Sequence, residues 1–402
     1  MIKRAYYFFR NQGFIKTTKK VLKKIKIKAV RLPNICREYF KRKKSIDFLK
    51  KKTNNKNIYV IIPCMDWYGS MFQRTHQMAT VLSTMEKTIV FFVSDQFYHD
   101  NFCFFEQLSE TLYLYSIRMT SSLNKILYGS TRITVIMTWT RHFDLSNKLR
   151  YDKLIYEYAD ELQLLYYYDS KMEEKHREMT RKADLTVATA DKLYNQAFPY
   201  AKKLILNPNA ADYNFFQTHR GCPVNPLIFD IIKQYSCVIG YYGALAKWFD
   251  YDLILEVATK RQNWLFILIG LDFDGTISII KKANLPNVVY IEPRPYHELP
   301  SFVSGFDIQI IPFIVNDITE SVSPVKLFEY MASQKPILSS DMPECRKYES
   351  VFRYFNAEDF EKKISHLMGN RDNLDYLALL DKEALENTWQ ARVNHILAEL
   401  EG

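Results

Sequence analysis

Paired cysteines and long apolar runs are both missing from this chain of 402 residues. The six cysteines are far apart, and no histidines stand at metal-ligand spacing around them. This pattern indicates buried thiols in a reducing compartment and gives no sign of a zinc site. No window approaches the ~18 consecutive apolar residues of a membrane-spanning helix, and the N-terminus lacks the apolar core of a signal peptide. We therefore expect a cytoplasmic protein.

Bulk composition narrows the class further. Hydrophobic residues make up 48% of the chain and charged residues 25%, which argues against a fibrous, collagen-like or wholly disordered protein. The length suits two domains of about 150 to 200 residues each.

Positive charge is concentrated in the first 52 residues. This segment holds 19 Lys and Arg residues against Glu38 and Asp47, whereas the rest of the chain is slightly acidic. Apolar side chains recur in it every three to four residues, as in a basic amphipathic helix that lies on an anionic membrane. A helix packed on the protein body and a basic arm that binds nucleic acid are the alternatives. No nucleic-acid motif accompanies the charge, so we expect an anionic membrane surface as the partner and no nucleic acid.

From Asn57 onward, short apolar runs alternate with helical stretches, which is the signature of βαβ units and parallel sheets. We predict an α/β protein of two Rossmann-like domains that face a central cleft, with a basic helical N-terminal extension. The predicted divisions are the extension 1–52, the domains 53–215 and 216–385, and a C-terminal helix within 386–402. The predicted strands are 57–63, 87–93, 111–117, 133–139, 152–158, 184–190 and 203–209 in the first domain, and 236–243, 264–270, 287–292, 307–313 and 335–340 in the second.

The stretch 316–344 carries the clearest sign of chemistry. Ser323 is a good helix N-cap and Pro324 suits the first helical position, so a helix should begin just after the strand 307–313. Unpaired amides at such a helix start bind anions and could hold a diphosphate without a metal ion. Glu329 is close enough to that end to accept hydrogen bonds from a ribose, while Lys326 either adds charge there or points to solvent.

The stretch as a whole resembles the donor-binding segment of GT-B glycosyltransferases of the family-4-like group, the glycosyl transferases group 1 found in bacterial surface-polysaccharide synthesis. In that family a Ser-Pro-x-Lys-x-x-Glu-Tyr run leads into a turn and a strand, as it does here from Ser323 onward. Other segments resemble the family in the same order: 154–162, 208–216, 239–258 and 290–313. The resemblance implies transfer of a sugar from a nucleotide diphosphate sugar to a glycan or lipid-linked acceptor, with no metal or other cofactor. It implies donor contacts from Gly243, Lys247, Glu320, Ser321, Ser323, Pro324, Val325, Lys326 and Glu329.

The chain departs from the family at two donor contacts. Retaining members carry a Glu-x7-Glu pair; the second member falls on Glu329, but the first falls on Ser321, with Glu320 beside it. An Arg-Lys pair often grips the donor phosphates, and only Lys247 is present after Gly243. The donor sugar, and the choice between retention and inversion, therefore stay open.

The first domain offers its own candidates. The loop after strand 57–63 contains Gly69 and leads to Arg74. In a GT-B enzyme this is the place of an acceptor or phosphate loop, and Arg74 is the candidate to meet an anionic group. Asp160 follows strand 152–158 and is a candidate base for the acceptor hydroxyl in an inverting reaction; Glu157 is the competing candidate.

Two other functions compete with glycosyl transfer at this point. A nucleotide-sugar epimerase of GT-B fold would isomerise the donor and would need no membrane. A non-catalytic protein would use the basic N-terminus to bind nucleic acid. The favoured prediction is a cytoplasmic glycosyltransferase that binds peripherally to the inner face of the cell membrane.

Overall fold

The computed structural model describes residues 41–68, 72–94, 104–164 and 168–402. Its strands form one eight-stranded sheet and one six-stranded sheet, and helices alternate with the strands along the chain. The prediction of two Rossmann-like α/β domains is therefore confirmed. Residues 1–40 of the predicted extension and Gly69 of the predicted loop lie outside the described residues.

The N-terminal sheet contains every strand that the sequence predicts for it. One further strand, β3, pairs antiparallel with β4, and the other described pairs of this sheet are parallel. The strands are β1 (Asn57–Ile62), β2 (Thr88–Ser94), β3 (Phe105–Gln107), β4 (Leu112–Ser116), β5 (Arg132–Met137), β6 (Lys153–Tyr158), β7 (Leu185–Ala188) and β8 (Leu204–Leu206). Their order across the sheet is β3-β4-β2-β1-β5-β6-β7-β8.

The C-terminal sheet is parallel in all its described pairs. Its first two strands in sequence, β9 and β10, are buried along their whole length, as expected for parallel strands covered on both faces. The strands are β9 (Cys237–Tyr242), β10 (Trp264–Ile269), β11 (Val288–Ile291), β12 (Ile308–Ile311), β13 (Ile337–Ser340) and β14 (Val351–Tyr354), of which the sequence missed β14. Their order is β11-β10-β9-β12-β13-β14.

Helices connect these strands and close both domains. The helix over 41–53 is α1. The others in the first domain are α2 (Arg74–Ser83), α3 (Thr120–Ile126), α4 (Phe143–Ser146), α5 (Ser170–Lys182) and α6 (Asp191–Ala197). Those that follow are α7 (Tyr213–Thr218), α8 (Pro226–Ile232), α9 (Tyr251–Lys260), α10 (Ser278–Ala283), α11 (Leu299–Val303), α12 (Val325–Ala332), α13 (Ala357–Asn370), α14 (Leu374–Glu386) and α15 (Trp389–Glu401).

Helix α1 belongs to the N-terminal domain, not to a separate extension. Leu49 is fully buried in the core of that domain. The hydroxyl of Thr53 donates to the carbonyl of Ile126 at 2.8 Å, and Arg42 donates to the hydroxyl of Ser122 at 2.8 Å. The predicted boundary at residue 52 is therefore too late, because a buried leucine fixes this helix to the domain. Among the residues that the structure describes, no helix is long and apolar enough to cross a membrane.

The chain crosses between the domains twice. The first crossing follows β8, and Tyr213 and Phe216 of α7 already lie in the core of the C-terminal domain; the predicted boundary at residue 215 is therefore a few residues too late. The second crossing lies between α14 and α15, and α15 packs back on the N-terminal domain, where Val393, Ile396 and Leu400 join the core beside β1 and β2. The C-terminal helix predicted within 386–402 is thus a part of the N-terminal domain.

Candidate active site

The carboxyl-terminal ends of the two sheets face each other. Lys192, just after β7, donates from Nζ to the carbonyl of Asp317, which follows β12, at 2.5 Å. Asp191 and Lys347 form an ion pair between the domains at 2.7 Å. Open α/β sheets bind ligands outside the carboxyl ends of their strands, at the point where the strand order reverses. Here that point lies between β9 and β12 in one domain and between β1 and β5 in the other.

Gly243 follows β9 at the reversal point of the C-terminal sheet. Its φ is +137°, and a Cβ there would lie 2.6 Å from Cε and 2.9 Å from Nζ of Lys326. Gly270, after β10, has φ +152°, and a Cβ there would lie 1.8 Å from the carbonyl oxygen of Gly243. The missing side chains therefore let the two loops and the lysine come together.

Helix α12 begins one residue later than the sequence indicates. Its N-cap is Pro324, with ψ 119°, and its first residue is Val325. The hydroxyl of Ser323 instead accepts a hydrogen bond from the backbone N–H of Asn209 at 3.1 Å, and the side-chain amide of Asn209 donates to the carbonyl of Ser323 at 2.6 Å. The prediction that Ser323 caps the helix was therefore wrong, because the first interdomain crossing takes up its hydroxyl.

Lys326 lies inside the site. Its Nζ is 5.2 Å from the ring centroid of Tyr241 and 4.9 Å from that of Phe313. Burial lowers the pKa of its ammonium to about 8, although the Glu329 carboxyl opposes this effect. The sequence left open whether Lys326 points to solvent or adds charge at the helix start. In the structure its ammonium lies beside Gly243.

Glu329 is only 4% exposed. Burial raises the pKa of its carboxyl to about 7, against the opposing effects of the hydroxyls of Tyr242 and Tyr296 and of the Lys326 charge. Carboxyl groups with a pKa near neutrality, held in a cleft beside a charged partner, are typical of functional sites. Glu329 lies in the second turn of α12, and its carboxyl interacts with the Lys326 charge.

The remaining predicted donor residues differ in exposure. Lys247 and Glu320 are exposed, whereas Ser321 is buried. The hydroxyl of Ser321 donates to the carbonyl of Ile318 at 2.7 Å inside its own turn. Of the two candidates for the first acid of the family pair, Glu320 therefore has the accessible carboxylate, and the Ser321 hydroxyl is occupied locally.

Asp160 lies at the facing edge of the N-terminal sheet. At the reversal point of this sheet the N–H of Cys64, after β1, donates to the hydroxyl of Thr138, after β5, at 3.0 Å. Burial and, to a smaller extent, the negative charge of Asp160 raise the pKa of the Cys64 thiol to about 11. The side chain of Asp160 is exposed, yet the surrounding protein partly desolvates its carboxyl and raises its pKa. A raised pKa and access to solvent both suit a general base.

The structure pairs Arg74 with Glu157, and neither is placed to meet a substrate. Arg74 is 5% exposed and Glu157 is fully buried. The Nε of Arg74 donates to the carboxylate of Glu157 at 2.9 Å, and its two other nitrogens donate to Asn207 and to the carbonyl of Pro208, each at 3.0 Å. Glu157 is therefore not available as a base, and the anion that Arg74 meets is Glu157. Sequence reasoning placed both side chains at the cleft because strand ends alone do not show which carboxylates are paired.

Sequence reasoning also missed Tyr296, which joins the two domains beside Glu329. Its ring centroid is 5.1 Å from that of Phe215 and 6.0 Å from that of Phe72 in the N-terminal domain. Burial raises the pKa of its hydroxyl, and the nearby Gln77 side chain of α2 opposes this. The position of Tyr296 soon after β11 was the one available signal, since residues at that edge line the cleft.

Across the described parts of the chain, no three His, Cys, Asp or Glu side chains form a group that could hold a metal ion. Of the charged donor residues predicted from the sequence, Lys326 and Glu329 lie together beside Gly243, and Lys247 and Glu320 are exposed. The site therefore offers ammonium groups, backbone amides and carboxylates to a ligand, which suits an anionic ligand that also carries hydroxyl groups.

Comparison with known proteins agrees with this fold. Residues 231–378 match the family model described as glycosyl transferases group 1. The chain is 22% identical over 385 residues to TuaH of Bacillus subtilis strain 168, which is described as a teichuronic acid biosynthesis glycosyltransferase; the match covers 89% of this chain and 92% of TuaH.

Two solved structures share the fold. A sucrose-phosphate synthase from Thermosynechococcus elongatus has a TM-score of 0.63 at 12% identity, over 85% of this chain and 98% of that one. HepE of Anabaena, in complex with UDP and glucose, has a TM-score of 0.59 at 11% identity, over 86% of this chain and 99% of that one.

The two facing Rossmann-like domains, together with these similarities, identify a glycosyltransferase of the GT-B fold. The match to the glycosyl transferases group 1 model falls within the C-terminal domain. The earlier prediction of a GT-B glycosyltransferase is confirmed.

Proposed function

We propose that the chain transfers a sugar from a nucleotide diphosphate sugar to a glycan or lipid-linked acceptor, in the synthesis of a cell-surface polysaccharide at the cytoplasmic face of the membrane. The observation that carries the proposal is the convergence of Gly243, Lys326 and Glu329 at the reversal point of the C-terminal sheet, opposite Asp160. The biosynthetic role in the name of TuaH and the UDP in the HepE complex support this class of reaction.

The donor binds mainly to the C-terminal domain. The amides at the start of α12 and the ammonium of Lys326 hold the diphosphate, and Lys247 adds a second, exposed positive charge. Glu329 accepts hydrogen bonds from the ribose, and Tyr296 forms the wall beside the nucleoside. Because Lys326 is held against two aromatic rings, its charge is already in place before the donor arrives, which limits the reorganisation that binding requires.

Transfer requires positioning and one proton acceptor. The acceptor hydroxyl attacks the anomeric carbon, the bond from that carbon to the diphosphate oxygen breaks, and the nucleoside diphosphate leaves. In an inverting reaction the hydroxyl proton passes to Asp160; in a retaining reaction it passes to the leaving diphosphate. Proton NMR of the anomeric centre of the product distinguishes the two, and an inverted product supports the assignment of Asp160.

The reaction proceeds without a metal ion in this proposal. Lys326 and the start of α12 supply the positive charge that stabilises the leaving diphosphate. Full activity after treatment with EDTA, and no gain on adding Mg²⁺ or Mn²⁺, is the expected result. A loss of activity that Mg²⁺ restores would refute metal independence.

Donor binding is the most direct test. Thermal shift with a panel of UDP, GDP and ADP sugars should show stabilisation by one base class, because a ligand that binds only the folded state raises its melting temperature. Glu329→Gln should weaken the Kd of that donor about tenfold or more, since a hydrogen bond to a charged group is worth about 1.5–3 kcal/mol. Glu358→Gln, on the exposed face of α13, is the control and should bind as the wild type does.

Incubation with the nucleotide sugar separates the transferase from an epimerase. Incubation of the donor alone should leave its sugar unchanged, and transfer should require the acceptor. An isomerised sugar in the absence of acceptor would instead support the epimerase.

Membrane contact is proposed for the basic N-terminal segment. In the described part of that segment, α1 packs its apolar side on the domain and exposes a row of lysines together with Phe48. Basic side chains near an anionic lipid surface contribute about 1 kcal/mol each. A surface of this kind would keep the cleft close to a lipid-linked acceptor.

Vesicle binding tests this contact. The full chain should bind vesicles that contain phosphatidylglycerol and should bind phosphatidylcholine vesicles poorly. A variant with four exposed lysines changed to glutamine should lose much of this binding: Lys43, Lys44, Lys50 and Lys51. The control has the same charge change in the C-terminal domain: Lys281, Lys282, Lys362 and Lys382. Equal binding by the two variants would refute the membrane contact.

A further inference from the structure

The guanidinium of Arg74 forms hydrogen bonds with parts of the chain that are far apart in sequence. Arg74 is the first residue of α2 and follows the predicted acceptor or phosphate loop. Its nitrogens donate to Glu157 at the end of β6 and to Asn207 and Pro208 in the first interdomain crossing. Its Cζ also lies 5.8 Å from the ring centroid of Trp389, at the second crossing. One buried side chain thus contacts both crossings and the N-terminal domain, which is the acceptor domain of the proposed function.

Asn207 extends this connection. Its side chain is fully buried. Its amide oxygen accepts from Arg74, while its amide nitrogen donates to the carbonyl of Arg392 at 3.1 Å and lies 3.2 Å from Nδ1 of His395. Arg392 and His395 lie on α15, so Asn207 fastens the first crossing to the helix that follows the second.

The two crossings are also paired through their backbones. The N–H of Ala211 donates to the carbonyl of Asn387 at 3.1 Å, and the N–H of Trp389 donates to the carbonyl of Ala211 at 3.2 Å. The crossings therefore behave as one two-stranded connection. A change in the angle between the domains has to pass through this connection, and Arg74 attaches the acceptor domain to it.

We propose that Arg74 is a positioning residue for glycosyl transfer: the cluster of Arg74, Glu157 and Asn207, here called the hinge bracket, fixes the angle at which the acceptor domain meets the donor domain. This inference rests on the proposed function for its catalytic consequence. Because Glu157 lies three residues before Asp160, the same attachment sets the position of this candidate base relative to the donor site. Misplacement of reacting groups by about 1 Å costs up to about 100-fold in rate.

Arg74 does not act as a ligand for the donor phosphates. Each of its three side-chain nitrogens already donates to a protein acceptor. Lysine at this position would keep the charge but could not span the three acceptors with one ammonium, because the planar fork of arginine is what fits them.

The test compares Arg74→Lys with Arg220→Lys. Arg220 forms an ion pair with Asp381 at 2.5 Å and donates to the carbonyl of Ala332 at 2.9 Å, but these contacts lie within one domain, so the control changes the same chemistry away from the hinge. In Arg74→Lys we expect kcat to fall at least tenfold while the donor Kd stays within twofold. Arg220→Lys should change neither quantity.

A second readout reports the domain angle without activity. The Asp191 and Lys347 pair spans the domains at 2.7 Å, so a water-soluble carbodiimide should join them by an amide bond, which peptide mass spectrometry detects. The yield should fall at least threefold in Arg74→Lys and stay unchanged in Arg220→Lys. A purely structural role for Arg74 would lower the melting temperature but leave this yield intact below the transition.

Several outcomes would overturn the inference. Normal kcat and normal cross-link yield in Arg74→Lys refute it, and so does a weakened donor Kd with an unchanged yield, which would make Arg74 a ligand. If Arg74→Lys does not fold, Glu157→Gln, which keeps an acceptor for Arg74, carries the same comparison and should show a smaller loss of the same kind. If no nucleotide sugar binds the wild type, the proposed function fails, while the cross-link comparison still decides whether the bracket sets the domain angle.

Discussion

Replacing Gly243 by alanine tests whether the closeness of this loop to Lys326 is functional. The backbone φ of +137° is rare for any residue with a side chain, and the added methyl carbon would meet Lys326 Cε at 2.6 Å and Nζ at 2.9 Å. Backbone strain of this kind costs about 1–3 kcal/mol. The contact with the flexible end of a lysine is relieved when that side chain moves. The free energy of unfolding should therefore fall by about 1–3 kcal/mol, and the ammonium should leave its place between Tyr241 and Phe313.

Donor binding should weaken in this variant because the Lys326 ammonium is no longer in place before the donor arrives. A charge-assisted hydrogen bond to a phosphate contributes about 1.5–3 kcal/mol, so the donor Kd should rise roughly 10- to 100-fold in Gly243→Ala. Isothermal titration with the stabilising nucleotide sugar measures the Kd, and urea unfolding measures the stability of the same samples.

Gly221→Ala is the matched control. Gly221 also has a positive φ, +70°, but a Cβ there would have nothing within 4 Å. It should cost about 1–2 kcal/mol of stability for the left-handed backbone and leave donor binding unchanged. Equal donor affinity in both glycine variants would show that Lys326 does not hold the diphosphate, and the reasoning about the site would be wrong.

Three further results are expected. Asp160→Asn should lower kcat of an inverting reaction by about 100-fold or more while the donor Kd is kept; a kcat within threefold of the wild type would remove Asp160 as the base. Burial lowers the pKa of His176 to about 4, so the unfolded chain, with a pKa near 6.5, takes up the proton first. The contribution of His176 to the free energy of unfolding should be fully present above about pH 6.5, and about 3 kcal/mol should be lost as the pH drops to about 4. Urea unfolding at a series of pH values should show this slope for the wild type and a flatter one for His176→Gln. Asp191→Asn removes the interdomain partner of Lys347, which keeps its ion pair with Glu344 at 2.9 Å. The unfolding free energy should change by less than about 1 kcal/mol, because the lost ion pair is largely exposed. The radius of gyration measured by X-ray scattering should increase if the pair helps to close the domains.

Most strands could be predicted from the sequence because each is a short apolar run bounded by turns. The two that were missed are weak in this respect. The edge strand β3 has three residues and is largely exposed, and the middle residues of β14 are only half-buried. Their pairing depends on the neighbouring strand more than on their own composition.

The prediction that Ser323 caps α12 failed because a distant part of the chain contacts this residue. Serine before proline is a good cap, but the hydroxyl of Ser323 accepts from Asn209, which is 114 residues away in the sequence. A hydrogen bond from the interdomain crossing therefore displaced the local cap and moved the first helical residue to Val325.

The sequence by itself determined two α/β domains and the candidate donor segment, because periodicity and the residues around a helix start are local properties of the chain. Only the tertiary structure decided which charged side chains are buried in ion pairs and which are accessible at the cleft. Arg74 and Glu157 are 83 residues apart and meet at 2.9 Å, whereas Asp160, three residues beyond Glu157, stays exposed at the cleft. Such partnerships depend on the order of strands in the sheet and on how the chain crosses between domains, and no short stretch of sequence contains that information.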